Sequence, residues 1–237
     1  LGGTVLPSSS MPHCTLREAL MVSNSMSDIL VVGACTGADA ALLKNNAVPV
    51  LSLCGSDETL QALTDAYTIR EELGTLSGVR IAFVGDLRNS KCVHAMIKVL
   101  THCYHPVVYL VSPAGFELPE DIMAAMRAAT DTQFQLYDDL AQVISAVDVL
   151  YMCPLSAAQF PSEAEFSKVR DRFRLTPRTL VNLRDNATIL LPFPRTQEIA
   201  VEVDSDPRCA TSSQLQNGLF MRMAMLAILS GKAGSFS

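Results

Sequence analysis

The chain has 237 residues, of which 49% are hydrophobic, and its mean hydropathy of +0.26 excludes an intrinsically disordered protein. The formal net charge is −6 and no basic patch stands out, so nucleic acid is excluded as a partner. No apolar run reaches the ~20 residues that cross a bilayer, so no membrane span is predicted.

The first third of the chain alternates short apolar runs with helical patterns. The predicted strands cover residues 2–6, 28–32 and 48–53, and the predicted helices cover 16–25, 38–45 and 60–73. Such alternation is typical of α/β proteins with parallel sheets.

The central stretch, residues 69–100, carries the clearest pattern. Residues 79–84 are mostly β-branched and apolar, as in a parallel strand covered on both faces, and Gly85 and Asp86 end it. Val93, Met96, Ile97 and Leu100 then recur at helical spacing. Because ligands of open α/β sheets bind at the carboxyl ends of strands, residues 85–93 are expected to border a cleft.

The rest of the chain continues the alternation. Strands are predicted at 106–111, 134–137, 149–152 and 187–191, and helices at 120–130, 140–147, 162–173, 178–183 and 214–229. Ser212 or Ser213 is the predicted N-cap of the last helix. Its apolar positions run nearly all the way round, which predicts a buried helix.

The seven cysteines form no CxxC pair, and Cys54 and Cys153 stand among apolar residues. This distribution favours buried thiols in a reducing, intracellular compartment over disulfides or zinc. His102, Cys103 and His105 lie close together, but no second cluster completes a metal site. His94, on the helix after the central strand, has no partner acid or nucleophile at a suggestive spacing and is interpreted as a hydrogen-bonded structural residue.

Four stretches resemble aspartate carbamoyltransferase, most closely the animal-type domain of the multifunctional pyrimidine-synthesis protein. They are TIREELGTLSGVRIAFVGDLRNSKCVHAM at 68–96, DVLYM at 148–152, LPFPRTQEIAVEVDSDPR at 191–208 and QNGLFMRMAMLAIL at 216–229. The resemblance implies two doubly wound parallel-sheet α/β subdomains of the aspartate/ornithine carbamoyltransferase fold, the first one incomplete. It also implies homotrimers with shared active sites, no metal or organic cofactor, and catalysis by charge stabilisation and positioning.

The same resemblance implies a division of the chain. Residues 1–72 would be a remnant of the carbamoyl-phosphate domain, completed by a C-terminal helix at 213–237, and residues 73–212 would form the aspartate-type domain. The family's phosphate-binding Ser-Thr-Arg-Thr segment has no counterpart, and the loop at 7–15 contains no Lys.

Several family ligands are replaced in this chain. The two catalytic His positions are occupied by Glu58 and Leu191. Glu58 would repel carbamoyl phosphate by ~1 kcal/mol at contact distance. Gly33, Pro154 and Ser156 stand where the family has further substrate ligands.

Four residues remain as candidates for a residual anion site: Gln61, Lys91, Pro192 and Arg195. Lys91 keeps a positive charge at a family Arg position but lacks the bidentate guanidinium fork. Inherited scaffold or solvated charge is the favoured interpretation of Gln61, Lys91 and Arg195.

These replacements predict a catalytically inactive homologue that serves as a structural or regulatory subunit of a larger assembly, or as the partner of an active paralogue. Two alternatives stay open: an active carbamoyltransferase using Lys91, Gln61 and Arg195 on aspartate or another amine in pyrimidine synthesis, and a small-anion sensor without turnover. By family the location is cytoplasmic, although a recruited subunit could lie in an organelle such as the mitochondrion.

Overall fold

A computed structural model describes residues 2–6, 14–33, 40–52, 58–129, 131–192 and 194–231. The helices are α1 (Leu16–Asn24), α2 (Ala40–Lys44), α3 (Thr59–Leu73), α4 (Lys91–Leu100), α5 (Glu120–Ala128), α6 (Glu163–Phe173), α7 (Pro177–Leu180) and α8 (Thr211–Leu229). The strands are β1 (Leu30–Val32), β2 (Val50–Ser52), β3 (Arg80–Val84), β4 (Val107–Val111), β5 (Gln133–Tyr137), β6 (Val149–Met152) and β7 (Thr188–Leu190). None of these helices is long and apolar enough to cross a membrane.

The chain divides into two compact units. The first comprises residues 1–60 and 218–237, and the second comprises residues 61–217. The boundaries fall within α3 and α8. The assignment of residues 1–72 and 213–237 to a carbamoyl-phosphate domain, and of 73–212 to an aspartate-type domain, stays a prediction.

The first unit holds a two-stranded parallel sheet in which Leu30 pairs with Val50. Before it, α1 begins with a capping box, because the Thr15 hydroxyl accepts from the Glu18 N–H and the Glu18 carboxylate accepts from the Thr15 N–H. The strand predicted at 2–6 is wrong: these residues are exposed and pair with no strand that the structure describes.

The second unit holds a five-stranded parallel sheet in the order β5-β4-β3-β6-β7. The chain runs outward from β3 through β4 to β5, then returns to the other side of β3 to form β6 and β7. The order therefore reverses between β3 and β6, which makes their carboxyl ends the topological switch point. The predicted doubly wound α/β architecture is confirmed.

Two hydrophobic clusters cover the opposite faces of this sheet. Ile81 and Phe83 belong to one cluster with residues of α3, α4 and α5, whereas Ala82 and Val84 belong to the other with residues of α6 and α7. Successive side chains of a strand point to opposite faces. Burial on both faces explains why β3 is a continuous apolar run in the sequence.

Three predictions about helices are wrong. Residues 140–147 form only a short 3₁₀ helix at Leu140–Gln142, which Asp139 caps. The residues that follow form turns, which are closed by backbone hydrogen bonds between residues three apart. The last helix begins at Thr211 and not after a cap at Ser212 or Ser213. Several of its large apolar side chains are exposed, contrary to the expectation of burial.

We expect Asp148→Ala to lower the free energy of unfolding by about 2–3 kcal/mol. Asp148 precedes β6, and its carboxylate accepts from Arg80 Nε (2.9 Å), Arg80 Nη2 (2.7 Å) and Arg184 Nη1 (2.8 Å). Urea unfolding measures the change. The control is Asp138→Ala, which removes an exposed pair with Arg172 that water screens, so its loss should be much smaller. Equal losses in both variants would contradict the prediction.

Candidate active site at the carboxyl ends of β3 and β6

The site begins where the residues that follow β3 and β6 approach each other. Gly85, directly after β3, has a φ of +119°, and a Cβ there would lie 2.2 Å from the Cys153 carbonyl oxygen. The Cys153 N–H donates to the Val84 carbonyl at 2.7 Å, and the Gly85 N–H donates to the Val111 carbonyl at 2.9 Å. Only glycine allows this approach.

Asp86 organises the turn that follows. Its buried carboxylate accepts from the Asn89 N–H (3.0 Å), from Asn89 Nδ2 (2.9 Å) and from Gln159 Nε2 (2.8 Å). The turn ends at Ser90, whose hydroxyl caps α4 by accepting from the Val93 N–H. Asp86 is thus held by neutral donors, with no cation as partner among the described residues.

Lys91 is the first residue of α4 and is exposed. It makes no ion pair with any residue in the part of the chain that the structure describes. A helix N-terminus favours negative charge, so Lys91 stands where an anion would be attracted.

Glu198 is a second buried acid in the same region. Its carboxylate accepts from the Thr196 N–H at 3.1 Å and from the Thr196 hydroxyl at 2.5 Å. It lines a cavity of about 10 Å³, too small for a metabolite, together with Cys153, Leu155, Arg170, Phe173 and Gln197. Arg170 there is occupied by Asp171 and the Gln197 amide oxygen.

Cys153 is close enough to both carboxylates to feel their charges. Burial raises the pKa of its thiol far above the ordinary value, and the negative charges of Asp86 and Glu198 act in the same direction. Cys153 is therefore a neutral thiol and not a nucleophile.

The candidate site residues near the end of β7 are buried or already make contacts within the protein. Leu191 is fully buried, and its N–H donates to Gln214 Oε1 at 3.3 Å. Pro192 is also buried. The Arg195 guanidinium forms a salt bridge with Asp204. Phe193 lies outside the described residues.

The two candidate positions after β6 are Pro154 and Ser156, and Ser156 shares the hydrogen-bond partner Gln159 with Asp86. Pro154 is half-buried and Ser156 is exposed, and the Ser156 N–H donates to Gln159 Oε1 at 3.1 Å. Because the Gln159 amide also donates to Asp86, it links the loops that follow β3 and β6.

The two remaining positions belong to the first unit. Glu58 is exposed immediately before α3, and Gly33 is exposed immediately after β1. The structure describes no side-chain contact of Glu58 that would hold a substrate, and Gly33 has no side chain to offer one.

The structure adds one polar cluster that the sequence reasoning missed. Asp65 on α3 is fully buried and accepts from Tyr151 Oη (2.6 Å), Gln61 Nε2 (2.7 Å) and Gln214 Nε2 (2.7 Å). Burial raises the pKa of Asp65 to about 6, against the lowering effect of these three donors. The available signal was the spacing of Gln61 and Asp65, one helical turn apart.

The amide of Gln61 is therefore occupied by Asp65 and does not stand free for a ligand. His94 is buried, and its Nε2 lies 2.8 Å from the Leu87 carbonyl oxygen, which confirms a hydrogen-bonded structural role. Among the described residues, no group of three His, Cys, Asp or Glu is placed to hold a metal ion.

Residues 77–229 match the family model of the aspartate/ornithine carbamoyltransferase Asp/Orn binding domain. Together with the switch-point sheet, this match shows that the chain belongs to the aspartate/ornithine carbamoyltransferase family. Within that family, its similar relatives are aspartate carbamoyltransferases and multifunctional proteins that contain such a region.

The chain is 35% identical to the aspartate carbamoyltransferase catalytic subunit of Archaeoglobus fulgidus, over 90% of this chain and 70% of that protein. It is 36% identical to the multifunctional protein pyr-3 of Neurospora crassa, over 97% of this chain and 13% of that protein. It therefore spans about an eighth of the length of that multifunctional relative.

Among solved structures, the catalytic subunit of M. jannaschii aspartate transcarbamoylase superposes with a TM-score of 0.84 at 28% identity. The match covers 93% of this chain and 72% of that one. The predicted carbamoyltransferase fold is thereby confirmed.

Proposed function

We propose that the chain is a catalytically inactive aspartate carbamoyltransferase homologue that serves as a structural or regulatory subunit of a larger assembly. The observation that carries this proposal is the charge at the switch point. Asp86 and Glu198 are buried there without a cationic partner among the described residues, and Arg195 is tied to Asp204. Such a site repels the anionic substrates of the family.

The replaced groups support the same conclusion. Leu191 offers no side-chain donor to an oxyanion, and its backbone N–H is already bonded to Gln214. Losing one oxyanion donor typically lowers the rate by ~10²–10³-fold, and several ligands differ together in this chain. The cavity beside Cys153 holds no more than a water molecule.

We further propose that the first unit is the remnant of the carbamoyl-phosphate domain and that the chain works with protein partners, either as the family trimer or within a larger particle. Its location would follow that assembly, in the cytoplasm or in an organelle such as the mitochondrion. Sedimentation of a gentle cell extract separates a particle of three chain masses from a much larger one.

The second candidate function is binding of a small anion, with or without turnover, and a single observation favours it. Lys91 is an exposed cation at the N-terminus of α4, without an ion-pair partner among the described residues. Such a residue could recruit phosphate or a carboxylate as a point charge.

Our proposal predicts no formation of carbamoyl aspartate above the uncatalysed background and no heat of binding on calorimetric titration with carbamoyl phosphate. The physical reason is the uncompensated negative charge of Asp86 and Glu198. Product formation would contradict the inactive role. Saturable heat that disappears in Lys91→Ala but persists in Lys168→Ala, which removes a lysine of α6, would establish the anion sensor instead.

A further inference from the structure

Asp65 is a fully buried carboxylate of the second unit whose hydrogen-bond partners are all neutral donors. Its Oδ1 accepts from Gln61 Nε2 and from Gln214 Nε2, each at 2.7 Å. Its Oδ2 accepts from Tyr151 Oη at 2.6 Å. No Lys, Arg or His among the described residues pairs with it. Protonation of Asp65 therefore removes a buried negative charge that no cation compensates.

Asp65 is also the group in this cluster that changes charge near neutral pH. The titratable groups close to it are Tyr151 of β6, Cys92 of α4 and Cys153 after β6, whereas its amide partners on α3 and α8 do not titrate. Tyrosine and cysteine side chains are ordinarily uncharged at neutral pH. Burial raises the pKa values of the Tyr151 hydroxyl and the Cys153 thiol further, and it raises the pKa of Asp65 to about 6.

A proton on Asp65 needs an acceptor, because all three partners of the carboxylate donate to it. Gln214 cannot turn its amide to supply one. Its Oε1 already accepts from the buried Leu191 N–H at 3.3 Å. A turned amide would place its NH₂ group against this N–H and leave a buried backbone donor without an acceptor.

Tyr151 is no better as the acceptor. The side chain is fully buried, and its ring packs edge-on against Phe83 with a centroid distance of 5.3 Å. If its oxygen accepted the proton of Asp65, the Tyr151 hydrogen would lose the carboxylate as its acceptor. The neighbouring thiols of Cys92 and Cys153 accept only weakly.

Gln61 differs from both partners in its exposure. It is half-buried in the first turn of α3, and no described residue donates to its Oε1. Rotation about the last torsion of a glutamine side chain exchanges its oxygen and nitrogen, and this torsion is broad. Gln61 can therefore change from donor to acceptor while its NH₂ group moves to water, so that no buried polar group is left unpaired.

We propose that Asp65 and Gln61 form a proton-operated switch. In the charged state the Gln61 amide donates to Asp65. When Asp65 takes up a proton from solvent, the amide turns, Oε1 accepts from the new Asp65 hydroxyl, and both N–H groups of the amide face solvent at the start of α3. The switch operates without a substrate or a partner chain, so it is independent of the proposed inactive role.

The two states differ in what the start of α3 presents to its surroundings. The protonated state lacks one negative charge and has two additional outward donors. Both changes favour an anion near Gln61, which is one of the candidate anion-site residues. The charged state instead holds the Gln61 amide inward on Asp65. Acidification is thus coupled to the display of a hydrogen-bond donor.

The test is solution NMR of the side-chain amides of the isotope-labelled chain, titrated between about pH 4 and 8. The solvent-exchange rate of the Gln61 NH₂ group is divided by that of Gln214, which cancels the intrinsic pH dependence of exchange. On acidification this ratio should rise about tenfold, the protection that one hydrogen bond gives, with a midpoint near pH 6. Equal weakening of both bonds would leave the ratio unchanged.

Gln142 is the matched control in the same sample. Its Nε2 donates to Asp138 Oδ1 at 3.1 Å, and this pair has the same four-residue spacing as Gln61 and Asp65. Asp138 is exposed, and its hydrogen bond with Arg172 holds the pKa of the carboxyl below its ordinary value. The Gln142 amide should therefore show no transition near pH 6.

Two variants identify the proton and its acceptor. Asp65→Asn should hold the ratio at its acidic value at every pH, because the introduced NH₂ group always donates to the turned Gln61 amide. Tyr151→Phe should retain the transition, since Gln61 and not Tyr151 accepts the proton. If Asp65→Asn does not fold, the wild-type titration with Gln142 as its reference still decides.

Four results would overturn the switch: a ratio that stays flat in the wild type, a transition at Gln214 and the Leu191 N–H in place of Gln61, a transition that Gln142 shares equally, or loss of the transition in Tyr151→Phe. Formation of carbamoyl aspartate, by contrast, would refute the inactive role and leave the switch untouched.

Discussion

Replacing Gly85 with alanine is expected to destabilise the second unit by at least about 3 kcal/mol. Two costs combine at this position. The backbone φ of +119° is one that L side chains rarely adopt, and the new Cβ would lie 2.2 Å from the Cys153 carbonyl oxygen. That oxygen belongs to the backbone, so it cannot move aside as a flexible side chain would. Urea unfolding followed by circular dichroism measures the loss.

The matched control is Gly74→Ala at the end of α3. Gly74 also has a positive φ, +78°, but open space surrounds the position of its Cβ. This substitution should cost only the backbone strain of about 1 kcal/mol. Equal losses for the two variants would mean that the contact with Cys153 does not constrain the junction of β3 and β6.

Asp65 should make the protein less stable as the pH rises, which is opposite to the effect of most carboxylates. Burial raises its pKa from 3.8 to about 6, so the folded state binds this proton more tightly than the unfolded state does. The resulting stabilisation is fully present below pH 3.8 and is lost as the pH rises through 6. Relative to Asp65→Asn, which cannot titrate, the wild-type free energy of unfolding should fall by about 3 kcal/mol between about pH 3 and 7.

The comparison with Asp65→Asn removes the contributions of other acids. Hydrogen bonds from Arg172 and Arg208 lower the pKa values of Asp138 and Asp206, respectively, and both acids lose stabilisation at low pH in either protein. The amide introduced by the substitution can still accept from Tyr151, but its NH₂ group faces the donors of Gln61 and Gln214, which adds a constant penalty independent of pH. A difference between the two proteins that stays flat over this pH range would contradict the prediction.

Tyr151→Phe provides a second test of the same cluster. The Tyr151 hydroxyl donates to the Asp65 carboxylate at 2.6 Å and lowers the pKa of Asp65. Removing this donor should move the pH at which stability is lost to a value above 6. An unchanged midpoint would show that Tyr151 does not stabilise the charged form.

Much of the candidate site could be located from the sequence because local patterns specify it. A run of buried β-branched residues followed by Gly85 and Asp86 predicts a parallel strand and the turn at its carboxyl end. The following apolar residues at helical spacing predict α4, with Lys91 at its start. In open α/β sheets, ligands bind at the carboxyl ends of the strands, which is where this turn lies.

The contacts within the site could not be predicted, since they join residues far apart in the chain. Gln159 reaches Asp86 across 73 residues, and Gln214 reaches Asp65 across 149. Neither pair has a spacing that indicates the contact. The sequence leaves Arg195 as a candidate free ligand, whereas its pairing with Asp204 is visible only in three dimensions.

The sequence by itself determined the α/β class, the positions of most helices and strands, and the family resemblance, because periodicity, capping residues and family motifs are local properties of the chain. Only the tertiary structure decided that residues 2–6 pair with no described strand, that residues 140–147 form turns after one short 3₁₀ helix, and that several large apolar side chains of α8 are exposed. Burial depends on which other elements are present to cover a surface. An apolar helix shows that it needs a partner, but not whether the folded chain provides one.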